Sequence, residues 1–309
     1  MATPTTLDAT VPERGQRAAL AALGAVVVIW GLGPPLSKEI SAPGLTVAAV
    51  RMWVAVPFMA VMQRVAGSRL SWRAIAAARW GGLAFGVNMA FFFTAIQHAS
   101  VATVTLISSL QPVAVMLGAI RFFGERPTRW RLGWTAAGIA SVALAVAGAG
   151  AAVRATPLGI MLSVGAVLSL STYLLVSRRA RGTLASAEYL TGVMVWAAIT
   201  VTPIALWQGL ALGDLDHADW FWIAVVLVGP GWVGHLLMNW AITSLPLGIT
   251  ALNMLPATVI SIAVAWPLHG EPVTAVQAVA GVATLISVAL VVHGPLRRSD
   301  PAMATGTTR

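Results

Sequence analysis

The sequence predicts an all-α membrane protein of ten transmembrane helices, arranged as two inverted five-helix repeats. Three observations predict it. The first is composition: 58% of the 309 residues are hydrophobic and only 9% are charged, with a mean hydropathy of +0.83. Soluble domains carry about 25% charged residues. The second is spacing. The apolar residues fall in blocks of about 18 to 24, the length that crosses about 30 Å of hydrocarbon as a helix. The short alternating segments of a membrane barrel are absent from the pattern. The third is a repeat. Ser141-Val142-Ala143-Leu144-Ala145-Val146-Ala147-Gly148 returns 146 positions later as Ser287-Val288-Ala289-Leu290-Val291-Val292-His293-Gly294. The same offset carries Ala95-Ile96 onto Ala241-Ile242, Gly124-Glu125 onto Gly270-Glu271, and Thr128 onto Thr274. A constant offset that includes a charged dipeptide at a break in hydrophobicity marks one unit written twice.

The elements follow in order. Residues 1–17 are polar and read as a disordered N-terminus, and the first span covers 18–37 up to Lys38-Glu39. Without a small-residue cleavage site it reads as a retained span, not a signal peptide. The next spans are 45–63, which ends at Arg64, then 80–98, which begins after Arg79, and 101–121, which ends at Arg121. The Gly124-Glu125 loop leads to 130–149, which completes a first repeat of 18–150. The second repeat, 151–294, holds spans at 157–177, 188–207, 220–243, 247–267 and 274–293, and a tail of 295–309 follows. Pro127 and Pro272 suit helix entries, because the first turn of a helix has no use for the missing N–H.

Charge sets orientation. The +9 net charge comes from short basic clusters between apolar blocks, with no basic helix or zinc-ligand spacing, so nucleic acid is not the implied partner. With both termini in the cytoplasm, all but three of the 19 basic residues lie on the inner side, the exceptions being Lys38, Arg154 and Arg51. The acidic loop with Asp214, Asp216 and Asp219 then faces outward. Five spans per unit is an odd number, so the second copy enters the bilayer upside down. Such a pair converts an inward-open cavity into an outward-open one by exchanging the conformations of its halves. The implied location is the cytoplasmic membrane. No cysteine is present, which removes disulfides, thiol catalysis and thiolate metal sites.

Several features together resemble EamA-type transporters of the drug/metabolite transporter (DMT) superfamily. These are Trp30-Gly31 and Lys38 in span one, Arg51 in span two, and Pro112 followed by Gly124-Glu125, Gly133 and Gly138. The second half offers Tyr173, Pro256, Gly270-Glu271 and Gly281. The resemblance covers residues 20–293. Pro112 precedes its Glu by 13 residues and Pro256 by 15, a departure that displaces the break in span nine. The resemblance implies export or exchange of small metabolites, often amino acids, through a central cavity.

Polar and aromatic residues inside apolar spans nominate that cavity, because amides cost more in hydrocarbon than hydroxyls that bond back to their own helix. The candidates are Trp30, Asn88, Gln111, Tyr173, Trp232, His235, Asn239, Trp240 and Asn253. The run Trp30-Gly31-Leu32-Gly33-Pro34-Pro35 predicts a bend or unwinding in span one. Glu39, Arg51, Glu125 and Glu271 are candidate gate or ion-pair residues, with Glu39 the expected partner of Arg51 and snorkelling the competing reading. The Gly-Glu pairs also read as plain helix punctuation. No Asp or Glu lies mid-span, and this suits a neutral or zwitterionic solute better than a lipophilic cation. No catalytic residue, metal or cofactor is implied. The intramembrane enzyme and channel readings find no motif, since neither a Gly-x-Ser-x-Gly elbow nor a His-Glu-x-x-His helix occurs. The expected function is secondary transport of an amino acid or related zwitterionic or neutral solute, with drug efflux as the main alternative.

Overall fold

In a computed structural model of the chain, residues 13–65, 67–99, 101–124, 127–147, 156–181, 184–245, 247–252, 254–269 and 274–293 are described. Among these, every long element is helical: α1 (Glu13–Lys38), α2 (Gly44–Val65), α3 (Trp72–His98), α4 (Val101–Ser108), α5 (Gln111–Phe123), α6 (Arg129–Ala147) and α7 (Pro157–Arg181). Then come α8 (Ser186–Gln208), α9 (His217–Val226), a π-helical segment (Leu227–Gly234), α10 (His235–Ser244), α11 (Leu247–Leu252), α12 (Met254–His269) and α13 (Ala275–His293). Seven stretches are long and apolar enough to cross a membrane, one of them the run His217–Ser244 through the π-helical segment. Trp72 and Trp207, each 85% exposed, face outward as interfacial residues do.

Local chemistry sets the ends. Ser71 caps α3 by accepting from the Ala74 N–H at 3.2 Å, and its hydroxyl donates to Glu188 at 3.1 Å. Gly124 closes α5 in the left-handed region, at φ 66°, where a side chain would be strained. Asp216 and Asp219 form a capping box on α9, and buried Asp219 also accepts from the Ser41 N–H at 2.7 Å. That contact ties the α1–α2 loop to the start of α9. Many hydroxyls in the helices donate to the carbonyl four residues back, as Ser163 does to Gly159 and Thr200 to Trp196, both at 2.7 Å.

The halves pack on each other more than on themselves. α3 lies along α7 and α8. A side chain at Gly82 would strike Val193 and Trp196, and one at Gly86 would strike Ala197 and Thr200, so α3 and α8 run parallel. Asn88 meets Ala166 and Gly159 meets His98, so α3 and α7 run antiparallel. In the same manner α1 packs on α10 and the π-helical segment, α5 on α7, and α12 on α1. α6 pairs with α13 and α2 with α8. Exchanging the halves maps these pairs onto one another except α3 on α8, whose counterpart, α2 against α9 and the π-helical segment, is only a slight contact. The 146-residue offset carries both ends of α6 onto both ends of α13.

Two expectations change. Span one does not unwind at Pro34-Pro35, because α1 continues to Lys38. The irregular geometry lies instead around Gly229-Pro230-Gly231, inside the segment expected to be a plain helix. Both runs lack backbone donors at proline, yet α1 stays helical through its pair, packed against α12 where Gly31 admits Ile260 and the Ala257 carbonyl.

Candidate functional site

A cavity of about 170 Å³ opens where helices of both halves converge. An engineered apolar cavity of about 150 Å³ holds a benzene molecule, so this one has room for a small metabolite. α1 contributes Trp30, Gly33, Pro34 and Ser37, α2 contributes Arg51, and α3 contributes Asn88, Met89 and Phe92. Val104, Thr105 and Ser108 of α4 and Gln111 of α5 form another side. Ala166, Val167 and Leu170 of α7, Val226, Pro230, His235, and then Ala257, Thr258 and Ser261 of α12 complete it. Another crevice, of about 180 Å³, lies against α6, α12 and α13 and is lined chiefly by apolar side chains, so it offers little recognition chemistry.

Proline builds much of this wall. Pro230 has no N–H for the Val226 carbonyl four residues earlier, and that carbonyl accepts from Arg51 Nη2 at 3.4 Å. The Pro230 carbonyl accepts from Trp30 Nε1 at 3.0 Å, which pins the indole to the π-helical segment. Pro112 stands at the start of α5, and the helix is interrupted by a turn between Ser108 and Gln111, both of which line the cavity. π-bulges and broken helices at membrane depth are tolerated where they face protein or a wet cavity.

Of the sequence-predicted residues, Trp30, Asn88, Gln111, His235 and Arg51 come together here. Asn88 donates to the Ala166 carbonyl at 2.8 Å. His235 sits between Trp30 and Phe85, each 4.7 Å away by ring centroids, with Tyr173 at 5.8 Å. Tyr173 and Asn239 are hydrogen-bonded to each other and lie behind His235, fully buried and off the cavity wall. Trp232 and Trp240 do not reach the wall. Trp232 packs edge-on against Phe58, and Trp240 is 37% exposed. The π-helical segment adds a residue to the turn, so the faces beyond it no longer follow a 3.6-residue count from α9. Asn253, Glu125 and Glu271 lie outside the described residues.

The expected Glu39–Arg51 pair does not form. Arg51 turns inward and is 5% exposed. Its Nη1 lies 3.1 Å from the Met89 sulfur, its Nη2 meets the Val226 carbonyl, and its Cζ stands 5.6 Å from the Phe93 ring centroid. Nε has no partner. Burial this deep also removes the snorkelling reading. Sequence reasoning missed Ser37, Met89, Phe92 and Thr105 on the wall, since residue type alone does not signal facing.

Helices from both halves around a partly polar hollow define a multi-spanning membrane protein built to admit a small solute. The sequence profile of the EamA-like transporter family matches residues 16–147 and 157–293, once in each half. The chain belongs to this family of membrane transporters. Among 29 matching solved chains, one crystal structure covers 90% of this chain and 96% of its own, with a TM-score of 0.71 and 18% identity. That likeness shows a shared fold. No protein among the curated sequences matches the chain.

Proposed function

We propose that the chain is a secondary transporter that exports or exchanges a small metabolite by alternating access, an amino acid or a related zwitterionic or neutral solute. In this reading it crosses the cytoplasmic membrane ten times, with both termini inside. Its repeats, 18–150 and 151–294, have opposite polarity. The observation that carries the reading is the cavity itself. It lies at the junction of the halves and combines the amides of Asn88 and Gln111 from the first half with hydroxyls and aromatic rings from both, as expected of a site that faces each side in turn. Trp30, Asn88, Gln111 and His235 are the proposed solute contacts, with Tyr173 and Asn239 holding His235 in place.

Counterflow in proteoliposomes tests this directly. Labelled amino acid should accumulate in vesicles preloaded with the same unlabelled solute. If no amino acid, amine or sugar shows counterflow under imposed gradients, the transport reading falls. Drug efflux is favoured by one observation, the apolar share of the wall from Met89, Phe92, Val104, Val167 and Leu170. Counterflow of lipophilic compounds in the same vesicles separates the two.

A further inference from the structure

We infer that Arg51 seats a carboxylate of the solute, so that the cavity selects carboxylate-bearing compounds over amines of the same skeleton. This rests on the cavity being the solute site proposed above.

Among the described lining residues Arg51 is the only one with a full charge, and none is Asp or Glu. An isolated charge in a low-dielectric interior is strongly unfavourable unless an opposite charge or several hydrogen bonds offset it. The protein supplies little of either. A guanidinium carries five N–H donors in a rigid fork. Here that fork meets one thioether, a weak acceptor, and one carbonyl at 3.4 Å, while Nε meets nothing. The remaining donors match the two oxygens of a carboxylate, the planar acceptor a guanidinium binds best.

The surroundings keep this fork in place without neutralising it. A Cβ at Gly231 would lie 2.7 Å from Nη2, so glycine there leaves space for the guanidinium. Three further unpartnered polar atoms belong to residues of the same cavity, Gln111 Nε2, Ser261 Oγ and His235 Nδ1. The first two can donate, and the imidazole nitrogen donates or accepts according to its tautomer. The wall therefore presents donors to an acceptor-rich solute. For an ammonium group it offers no carboxylate, only neutral hydroxyl and amide oxygens and ring faces such as Trp30 and Phe92.

The test uses the purified full-length chain in detergent and four probes on one skeleton: leucine, 4-methylpentanoate, 3-methylbutylamine and leucinamide. Ligand-induced thermal stabilisation reads binding, in parallel with counterflow. Leucine and 4-methylpentanoate should stabilise at concentrations at least about tenfold lower than the amine or the amide, the factor expected for a charge-assisted hydrogen bond. Arg51→Gln should lose that preference while its unliganded melting temperature does not fall, because the change removes an unpaired buried charge. Arg51→Lys, which keeps the charge and loses the fork, should fall between. Equal stabilisation by amine and acid, no stabilisation by either acid, or an unchanged preference in Arg51→Gln overturns the inference. The wild-type series decides the matter even if a variant does not fold. A carboxylate preference without counterflow would sink the transporter reading alone, whereas counterflow without that preference would sink only this inference.

Discussion

The indole of Trp30 does two things at once: it donates to the Pro230 carbonyl at 3.0 Å and packs at a tilt against His235, 4.7 Å between ring centroids. Trp30→Phe separates them. It should cost about 0.5–1.5 kcal/mol in stability, the net worth of one hydrogen bond, and raise the counterflow KM while the folded protein is still recovered. Gln111 is a contrasting case, because its Nε2 has no protein partner. Gln111→Leu should weaken transport by raising KM without lowering the melting temperature, since no intramolecular bond is lost. A purely structural Gln111 would show the reverse. At this scale the sequence is informative where polarity is expensive. Asn88, Gln111, His235 and Arg51 stand out inside apolar runs, and all four reach the cavity. The same logic misplaces Trp232 and Trp240, because an aromatic ring is equally at home against lipid, core or cavity.

α3 carries small residues at every fourth position, Ala74, Ala78, Gly82 and Gly86, and this stripe lets α8 approach its backbone closely. In a bilayer helices associate through such packing, not through escape from water. Gly82→Leu would drive side-chain atoms into the Val193 carbonyl and Trp196, and α8 cannot withdraw without opening the interface. A loss of about 1–3 kcal/mol is expected, seen as a lower melting temperature and a broadened size-exclusion peak. Gly133 in α6 is the control. A Cβ there meets nothing within 4 Å, so Gly133→Ala should be neutral or stabilise by up to about 1 kcal/mol through helix propensity. The stripe is visible in the sequence as a period of four. The π-helical segment is not: Gly229-Pro230-Gly231 signals a break, but only the partners Trp30 and Arg51 favour an extra residue in the turn over a kink.

On the scale of the molecule, each half finds its packing partners in the other: α3 on α7 and α8, α1 on α10 and α12. Such a bundle encloses its cavity only when both copies are present, and alternating access needs those copies to be of opposite polarity. The chain has no cysteine, so single cysteines report sidedness without background. Thr128→Cys should react with an impermeant maleimide only from the cytoplasmic side, and Thr274→Cys only from outside. Reaction of both from one side would end the inverted arrangement and with it the proposed route. From the sequence alone come the membrane class, the duplication and its offset, and the short list of residues too polar to leave facing lipid. All of these follow from costs that each residue or window bears locally. Tertiary structure alone decided that Arg51 turns from Glu39 toward Met89 and Val226, and that Trp232 packs on Phe58. It also decided that the irregular turn lies at Pro230 and not at Pro34. Those outcomes depend on which helix of the other half arrives alongside, and such contacts join residues up to 200 positions apart, a separation no local pattern encodes.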